Sequence, residues 1–374
     1  MRTNDVYLCG YYGMKNSGDD ALLLASAWGA KQYFETQSMV INSPVPLKIE
    51  GMGRQASVLV QQETFFGQNR LRQYRAAANS AHIVFGGGSV FHSSRDITVF
   101  RHMMMLAGSG PHRAIGVGLG PFKDSRAEVA CKKFLNECDF VGVRDQQSFE
   151  VAAAIAPHAT VSLTFDLAPL LLEIPYQNNT LNTLPRRGIG VALCPNERFN
   201  GNTMAETTRL KALAASLHKT YQATGEPIYL IDFNGHEDLG DSEVHDELRA
   251  LLSHEIPVFR INYDSNSLRL LSRLGGLKVV IGMRLHASVM AFLVNTPVLS
   301  LNYHSKCDGW CEQIGMHKNY RIDATLLDSD VLTQHLVDGL EHGFSPSSLS
   351  PQQSLSLAKR NFLLQPETLG AALC

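Results

Sequence analysis

The chain has 374 residues, 44% hydrophobic and 18% charged, with a formal net charge of −2. That length accommodates two domains of ordinary size, and that composition describes a well-packed globular protein rather than a disordered one. Near-neutral charge without a Lys/Arg-rich block argues against nucleic acid as a partner. Seven scattered cysteines (9, 131, 138, 194, 307, 311 and 374) argue against a disulfide-stapled secreted domain. Cys307 and Cys311 lack the second pair that zinc spacing requires, so free thiols are expected. The opening MRTNDVYLCG has no apolar h-region, and no run approaches the roughly 20 apolar residues of a spanning helix. The expected location is the cytoplasm, with peripheral contact at the inner face of the membrane and homo-oligomerisation both left open.

In chain order, short apolar runs at 6–9, 38–41, 82–85, 114–118, 140–143 and 160–163 read as buried strands. Helical patterns at 20–34, 68–78, 97–107, 126–137 and 147–154 lie between them. The polar stretch PYQNNTLNTLPRR, 175–187, is the best linker. The alternation then restarts. Strands are expected at 188–194, 228–233, 258–261, 277–281 and 298–301, and helices at 203–220, 242–253, 267–274, 285–295 and 331–341. Such alternation predicts mostly parallel sheets covered on both faces. The favoured architecture is α/β: two doubly wound Rossmann-like domains, 1–175 and 186–344, facing a cleft. A tail, 345–374, opens with SPSSLSP, carries a helix over 352–364 and is expected to pack back on the first half.

Chemistry concentrates where strands end. In 279–306, VVIGMRLHASVMAFLVNTPVLSLNYHSK, the pattern reads as strand, short loop, helix, strand, loop. It puts Arg284, Leu285, His286 and Lys306 at strand carboxyl ends, where open α/β sheets bind ligands. Three basic groups converging with a helix N-terminus make an anion site. The plainer alternative is that Arg284 and His286 cap and pack a core helix. In GYYGMKNSGDDALLLASAW, 10–28, the glycines allow tight turns, and Asp19 or Asp20 is expected to cap a helix beginning near Ala21. The spacing fits neither a dinucleotide fingerprint nor a Walker motif. Asn16, Asp19 and Asp20 are candidates to orient sugar hydroxyls or accept a proton. The alternative is one capping and one solvated aspartate.

IVFGGGSVFHSSRD, 83–96, exposes backbone N–H groups at Gly87 and Gly88 beside Ser89, a cradle for an anion. IGVGLGPF, 115–122, either binds or packs a helix against a strand. In VGVRDQQS, Arg144 ends a strand and suits a carboxylate or phosphate, while Asp145 caps the next helix or holds the arginine. Asp166 follows a further strand in FDLAPLL. FNGHEDLGD, 233–241, offers His236, Glu237, Asp238 and Asp241, a mixed loop without specific metal spacing, best explained as solvated charge.

The segments GYYGMKNSGDDALL, FGGGSVF, GVGLGP, VGVRDQQS, FDLA and GMRLHASVMAFLVNTPVLSLNYHSK, spread over roughly residues 5 to 310, together resemble the polysaccharide pyruvyl transferase family. The resemblance implies a fold like the two-Rossmann-domain (GT-B) glycosyltransferases, with the acceptor on the first domain and the donor on the second. It also implies transfer of a pyruvyl group from phosphoenolpyruvate to a sugar as a ketal, on a cell-surface polysaccharide or its lipid-linked precursor. By that resemblance Arg144, Arg284 and His286 match positions that hold phosphoenolpyruvate, and Lys306 matches the lysine after the last strand. His236–Asp238 stands where the family varies.

A donor with a carboxylate and a phosphate calls for at least two cationic contacts. His286 is the preferred acid for protonating the methylene carbon. Asp19 or Asp20 is the candidate base, and Arg144, Arg284 and Lys306 would stabilise departing phosphate. The scheme needs no metal or other cofactor, phosphoenolpyruvate serving as co-substrate. Two rival readings are a nucleotide-sugar glycosyltransferase using the same cleft and a non-catalytic glycan-binding protein. The first would need an acidic ribose contact, for which Glu237 and Asp238 are the candidates. The second would leave a buried cationic cluster without use.

Overall fold

The computed structural model describes residues 2–175 and 185–363. Most of the linker candidate, the last residue of the 352–364 helix and Cys374 lie outside the described residues. The chain divides into two compact units. Of the described residues, the first unit contains 2–14, 19–175 and 352–363, and the second contains 15–18 and 185–351.

In the first unit, β1 (Asn4–Cys9), β2 (Met39–Ser43), β3 (Ala56–Val60), β4 (Ser80–Gly88), β5 (Arg113–Val117), β6 (Phe140–Val143) and β7 (Val161–Leu163) form one sheet. Its order is β3-β2-β1-β4-β5-β6-β7, and every neighbouring pair is parallel. Parallel strands buried on both faces read as continuous apolar runs rather than alternating ones. That is why the inner strands are legible in the sequence while β3, a half-exposed edge strand, is not. The covering helices are α1 (Ser17–Tyr33), α2 (Gln68–Ala78), α3 (Ser94–Leu106), α4 (Ser125–Glu137) and α5 (Gln146–Ile155). Side chains of Ser93, Asp124 and Asp145 accept from the backbone N–H of Asp96, Ala127 and Ser148 and so start α3, α4 and α5. Helix α1 corrects the expected start near Ala21. It begins at Ser17, so Asp19 and Asp20 lie inside its first turn, where they favour the helix dipole instead of capping it. Phe85, Phe91 and Phe134 anchor the core, with Phe85 and Phe134 edge-to-face at 4.9 Å.

In the second unit, β8 (Ile189–Ala192), β9 (Ile228–Ile231), β10 (Val258–Ile261), β11 (Val279–Gly282), β12 (Val298–Asn302) and β13 (Arg321–Asp323) form a parallel sheet ordered β10-β9-β8-β11-β12-β13. Its helices are α6 (Asn196–Phe199), α7 (Thr203–Thr224), α8 (Ser242–Leu251), α9 (Ser267–Gly275), α10 (Leu285–Leu293), α11 (Ser305–Gln313) and α12 (Ser329–His342). Helix α11 replaces the loop expected around Lys306. Its cap is a histidine, His304, whose Nδ1 accepts from the Lys306 N–H at 3.2 Å. Histidine is not among the residue types that signal a helix start. The segment 15–18 belongs here through an antiparallel bridge between Asn16 and Asn234. Ser17 N–H donates to the Phe233 carbonyl at 2.8 Å, and Gly235 N–H donates to the Lys15 carbonyl at 2.8 Å.

The last described helix, α13 (Pro351–Lys359), leads back into the first unit. Beyond it, buried Asn361 accepts from Gly116 N–H at 2.7 Å and from Thr164 Oγ1 at 2.9 Å, and donates to the Phe165 carbonyl at 3.0 Å. Phe362 packs on Phe34, with ring centres 5.2 Å apart. A side chain at Gly29 would overlap the Phe362 ring. In each sheet the strand order reverses once, between β1 and β4 and between β8 and β11. Ligands of open parallel sheets bind beside such reversals, at the carboxyl ends.

Candidate active site

In the second unit the reversal lies between the ends of β8 and β11. Arg284 follows β11 and starts α10. Its Nε donates to Asp241 Oδ1 at 3.0 Å, and its Nη2 reaches the same oxygen. Asp241 is fully buried, and its other oxygen accepts from the N–H groups of Phe233 (3.0 Å) and Asn234 (2.8 Å) at the end of β9. Burial opposes the Arg284 charge, and Asp241 outweighs it and keeps the guanidinium charged. Asp241 therefore corrects the expectation of solvated loop charge over 233–241: it is the anchor of the strand-end arginine. The usable signal was its place directly before the apolar pattern of α8, beside the exposed acids Glu237 and Asp238.

Asp241 is itself braced. One helical turn along α8, buried His245 contacts Asp232 through Nδ1 at 2.6 Å and accepts from Leu193 N–H through Nε2 at 3.0 Å. That pairing fixes the neutral ring with its proton on Nδ1. Arg260 Nε donates to Asp232 at 2.8 Å. Burial raises the Asp232 carboxyl, but the bonds from His245 and Arg260 prevail and hold it below the usual aspartate range. The ends of β8, β9 and β11 are thus tied together by buried polar groups.

His286 is half-buried in the first turn of α10. Its ring lies against the α-carbon of Gly18, where any side chain would overlap Nδ1 and Cγ. Tyr303 follows β12, and burial followed by the nearby thiols of Cys194 and Cys307 pushes its hydroxyl well above the usual range. It is electrostatically coupled to Arg284. Lys306 Nζ sits 5.7 Å over the Tyr303 ring, within cation–π range. Burial pushes the neighbouring Cys307 thiol up to about 12, so it is a packing group rather than a nucleophile. Tyr303 carries no assignment from the sequence, and Gly18 reads there as a glycine for a tight turn and close approach by a ligand, not as the seat of the His286 ring. Asn16 Oδ1 accepts from Gly18 N–H at 2.9 Å and shapes this turn. His236 is exposed, and its Nδ1 accepts from Asp238 and Leu239 N–H, closing the 236–239 turn. Among the described residues no group of three or more His, Cys, Asp or Glu is placed to hold a metal ion.

The first unit has its own strand-end cluster. Arg144 follows β6, and its side chain is 8% exposed. Nη2 donates to Ser89 Oγ at 3.0 Å, with Asp145 at 3.4 Å and Asp166 at 3.8 Å. Asp145 also caps α5 through its other oxygen at 2.7 Å, so both functions read for it coexist. Gly87 and Gly88, at the end of β4, have φ of 66° and 79°, a conformation that favours glycine. The 115–122 cluster also serves twice. A side chain at Gly116 would strike Leu167, and one at Gly118 would approach Arg144 Nη2 to 2.9 Å. Asp19 is half-buried and Asp20 buried in this unit. Arg144, Gly87, Gly88, Ser89, Asp19 and Asp20 thus belong to the first unit, and Arg284, Leu285, His286, Lys306, Asn16 and His236 to the second.

The sequence model of the polysaccharide pyruvyl transferase family matches residues 16–305. The amylovoran biosynthesis protein AmsJ of Erwinia amylovora is 23% identical over 288 residues, 71% of this chain and 66% of that protein, just under two thirds of its length. Among solved structures, the UDP-GlcNAc 2-epimerase of Methanocaldococcus jannaschii superposes with a TM-score of 0.60 at 8% identity, covering 95% of this chain and 97% of that one. Anabaena Alr3699/HepE in complex with UDP-glucose gives 0.58 at 14% identity, covering 96% and 93%. Sucrose-phosphate synthase of Thermosynechococcus elongatus gives 0.53 at 12%, also covering 96% and 93%. At these identities the likeness concerns the fold alone, that of GT-B-type enzymes built from two parallel-sheet α/β domains.

Proposed function

Because the chain belongs to the polysaccharide pyruvyl transferase family, we propose that it transfers a pyruvyl group from phosphoenolpyruvate to a sugar of a cell-surface polysaccharide or its precursor. The observation that carries the reading is the Arg284 fork, held by a buried carboxylate at the reversal of the second sheet, with His286 two residues on and Lys306 beyond β12. A fixed guanidinium suits a carboxylate or phosphate, and a lysine adds a mobile point charge.

In this reading the second unit takes the donor and the first unit the acceptor. His286 delivers a proton to the methylene carbon, which becomes the methyl group. A sugar hydroxyl adds to the carbon bearing the phosphate, aided by Asp19 or Asp20 as base. Phosphate leaves and a second hydroxyl closes the ketal; of the two hydroxyl protons, one restores His286 and the other departs with phosphate. Arg144, Arg284 and Lys306 stabilise the negative charge on the departing group. No cofactor enters this scheme. The protein works on the cytoplasmic side, where phosphoenolpyruvate and glycan precursors are available.

Thermal-shift titration tests the donor. A ligand that binds only the folded state raises the melting temperature by mass action. Phosphoenolpyruvate is expected to stabilise the protein, and Arg284→Ala to abolish the shift. Stabilisation by UDP- or GDP-sugars without a response to phosphoenolpyruvate would instead support a nucleotide-sugar glycosyltransferase.

A further inference from the structure

The carboxyl edge of the first sheet bears a surface that the transfer chemistry does not use. Phe66 is 94% exposed and Phe65 55% exposed, at the tip of the turn between β3 and α2. Leu71, on the first turns of α2, is 61% exposed. Gln61 N–H donates to the Ser43 carbonyl at 3.0 Å, which ties this turn to the end of β2, where Val45 is also exposed. Moving a phenylalanine ring out of water is favourable. Two adjacent exposed rings on one tip are therefore a costly arrangement in water unless something covers them.

The charge around the tip is mainly positive, the nearby acids being Glu63 on the turn and half-buried Glu50 on the β2–β3 connection. Helix α2, QNRLRQYRAAA, has three arginines and no acid. Arg70 and Arg75 are exposed beside Leu71, while Arg72 is turned inward and donates to the Val60 carbonyl at 2.8 Å. Lys48 and Arg54 are exposed on the neighbouring β2–β3 connection. Glu63, the acid of the turn, accepts from Gly67 N–H and so closes the turn.

Aromatic rings projecting from a rim of arginines match an anionic lipid surface, which takes rings into its interface and cations at its headgroups. We propose that the Phe65–Phe66 tip, with Arg70 and Arg75, docks this protein on the surface of an anionic bilayer. The surface contact itself does not depend on which group is transferred.

The test is sedimentation of the full chain with phosphatidylcholine vesicles, with and without one third phosphatidylglycerol. Binding is expected only with phosphatidylglycerol and should fall steeply with salt. Arg70→Glu combined with Arg75→Glu should lower the partition coefficient by about fivefold or more per arginine. Phe65→Ser with Phe66→Ser should abolish partitioning, and both variants should keep the wild-type melting temperature. No binding by the wild type to the anionic vesicles, or equal binding by all three proteins, overturns the proposal. So does a Phe65/Phe66 variant that partitions normally but loses affinity for a water-soluble glycan acceptor, since the rings would then be a sugar platform.

Discussion

The two strand-end arginines differ in how they are held. Arg284 is clamped by one fully buried carboxylate that is itself pinned by two backbone N–H groups. Arg144 has a neutral hydroxyl at 3.0 Å and two carboxylates at 3.4 and 3.8 Å. A clamped fork is pre-organised, so an incoming anion orders little on binding. A fork with looser carboxylates keeps more of its field for a charge that develops during reaction. Within the proposed reaction, this contrast would give Arg284 the role of holding the donor and Arg144 that of meeting the changing charge.

The largest expected effect tests the clamp. Arg284→Met leaves Asp241 buried and unpaired, which costs about 3–5 kcal/mol of stability. Adding Asp241→Asn should restore most of the melting temperature but none of the phosphoenolpyruvate binding. A double variant no more stable than Arg284→Met would mean that Asp241 is not the clamp. Next in size is Gly18→Ala, whose methyl group would displace the His286 ring. A misplacement of about 1 Å at reacting groups costs on the order of a hundredfold in rate. The turnover number should therefore fall while phosphoenolpyruvate affinity, measured calorimetrically, stays within a few-fold.

Arg144→Lys sharpens the comparison from the other side. It keeps the charge and loses the fork, so turnover should drop roughly tenfold with little change in donor affinity. A pure affinity loss would assign Arg144 to ground-state binding instead. The smallest effect concerns acid. The folded-state pKa of Asp232 lies below its unfolded value of about 3.9. Its contribution is therefore fully present above that pH and lost as pH falls through the lower folded value. Asp232→Asn should be less stable than wild type at neutral pH, and the gap should narrow on titration below about pH 4. A gap constant down to acid unfolding would mean that the carboxylate charge is not what His245 and Arg260 hold.

Much of this was legible in the chain because doubly buried strands and capped helices leave strong local marks. The runs 140–143 and 258–261 match β6 and β10 residue for residue. What stayed hidden was non-local. Edge strand β3 is half-exposed, with an apolar stretch of only Val58–Val60, and β13, Arg321–Asp323, has a single apolar residue between two charges. Arg284 and His286 could be placed at a strand end from the 279–306 pattern alone. Their supports, Asp241 and Gly18, lie 43 and 268 residues away from them in sequence, and no periodicity connects such pairs. Tyr303 reads as the end of an apolar run until β12 and α11 place it beside Lys306.

The chain passes between its two units four times, after residues 14, 18, 175 and 351. Dividing it at Pro175 would therefore yield no autonomous half. The amino-terminal fragment would lack Asn361, which satisfies Gly116 and Phe165, and would keep the 15–18 segment that pairs with the end of β9. Each half carries a piece of the other, so the inherited unit is the whole pair. Gene fusion, permutation or domain exchange among relatives has to carry these borrowed segments along.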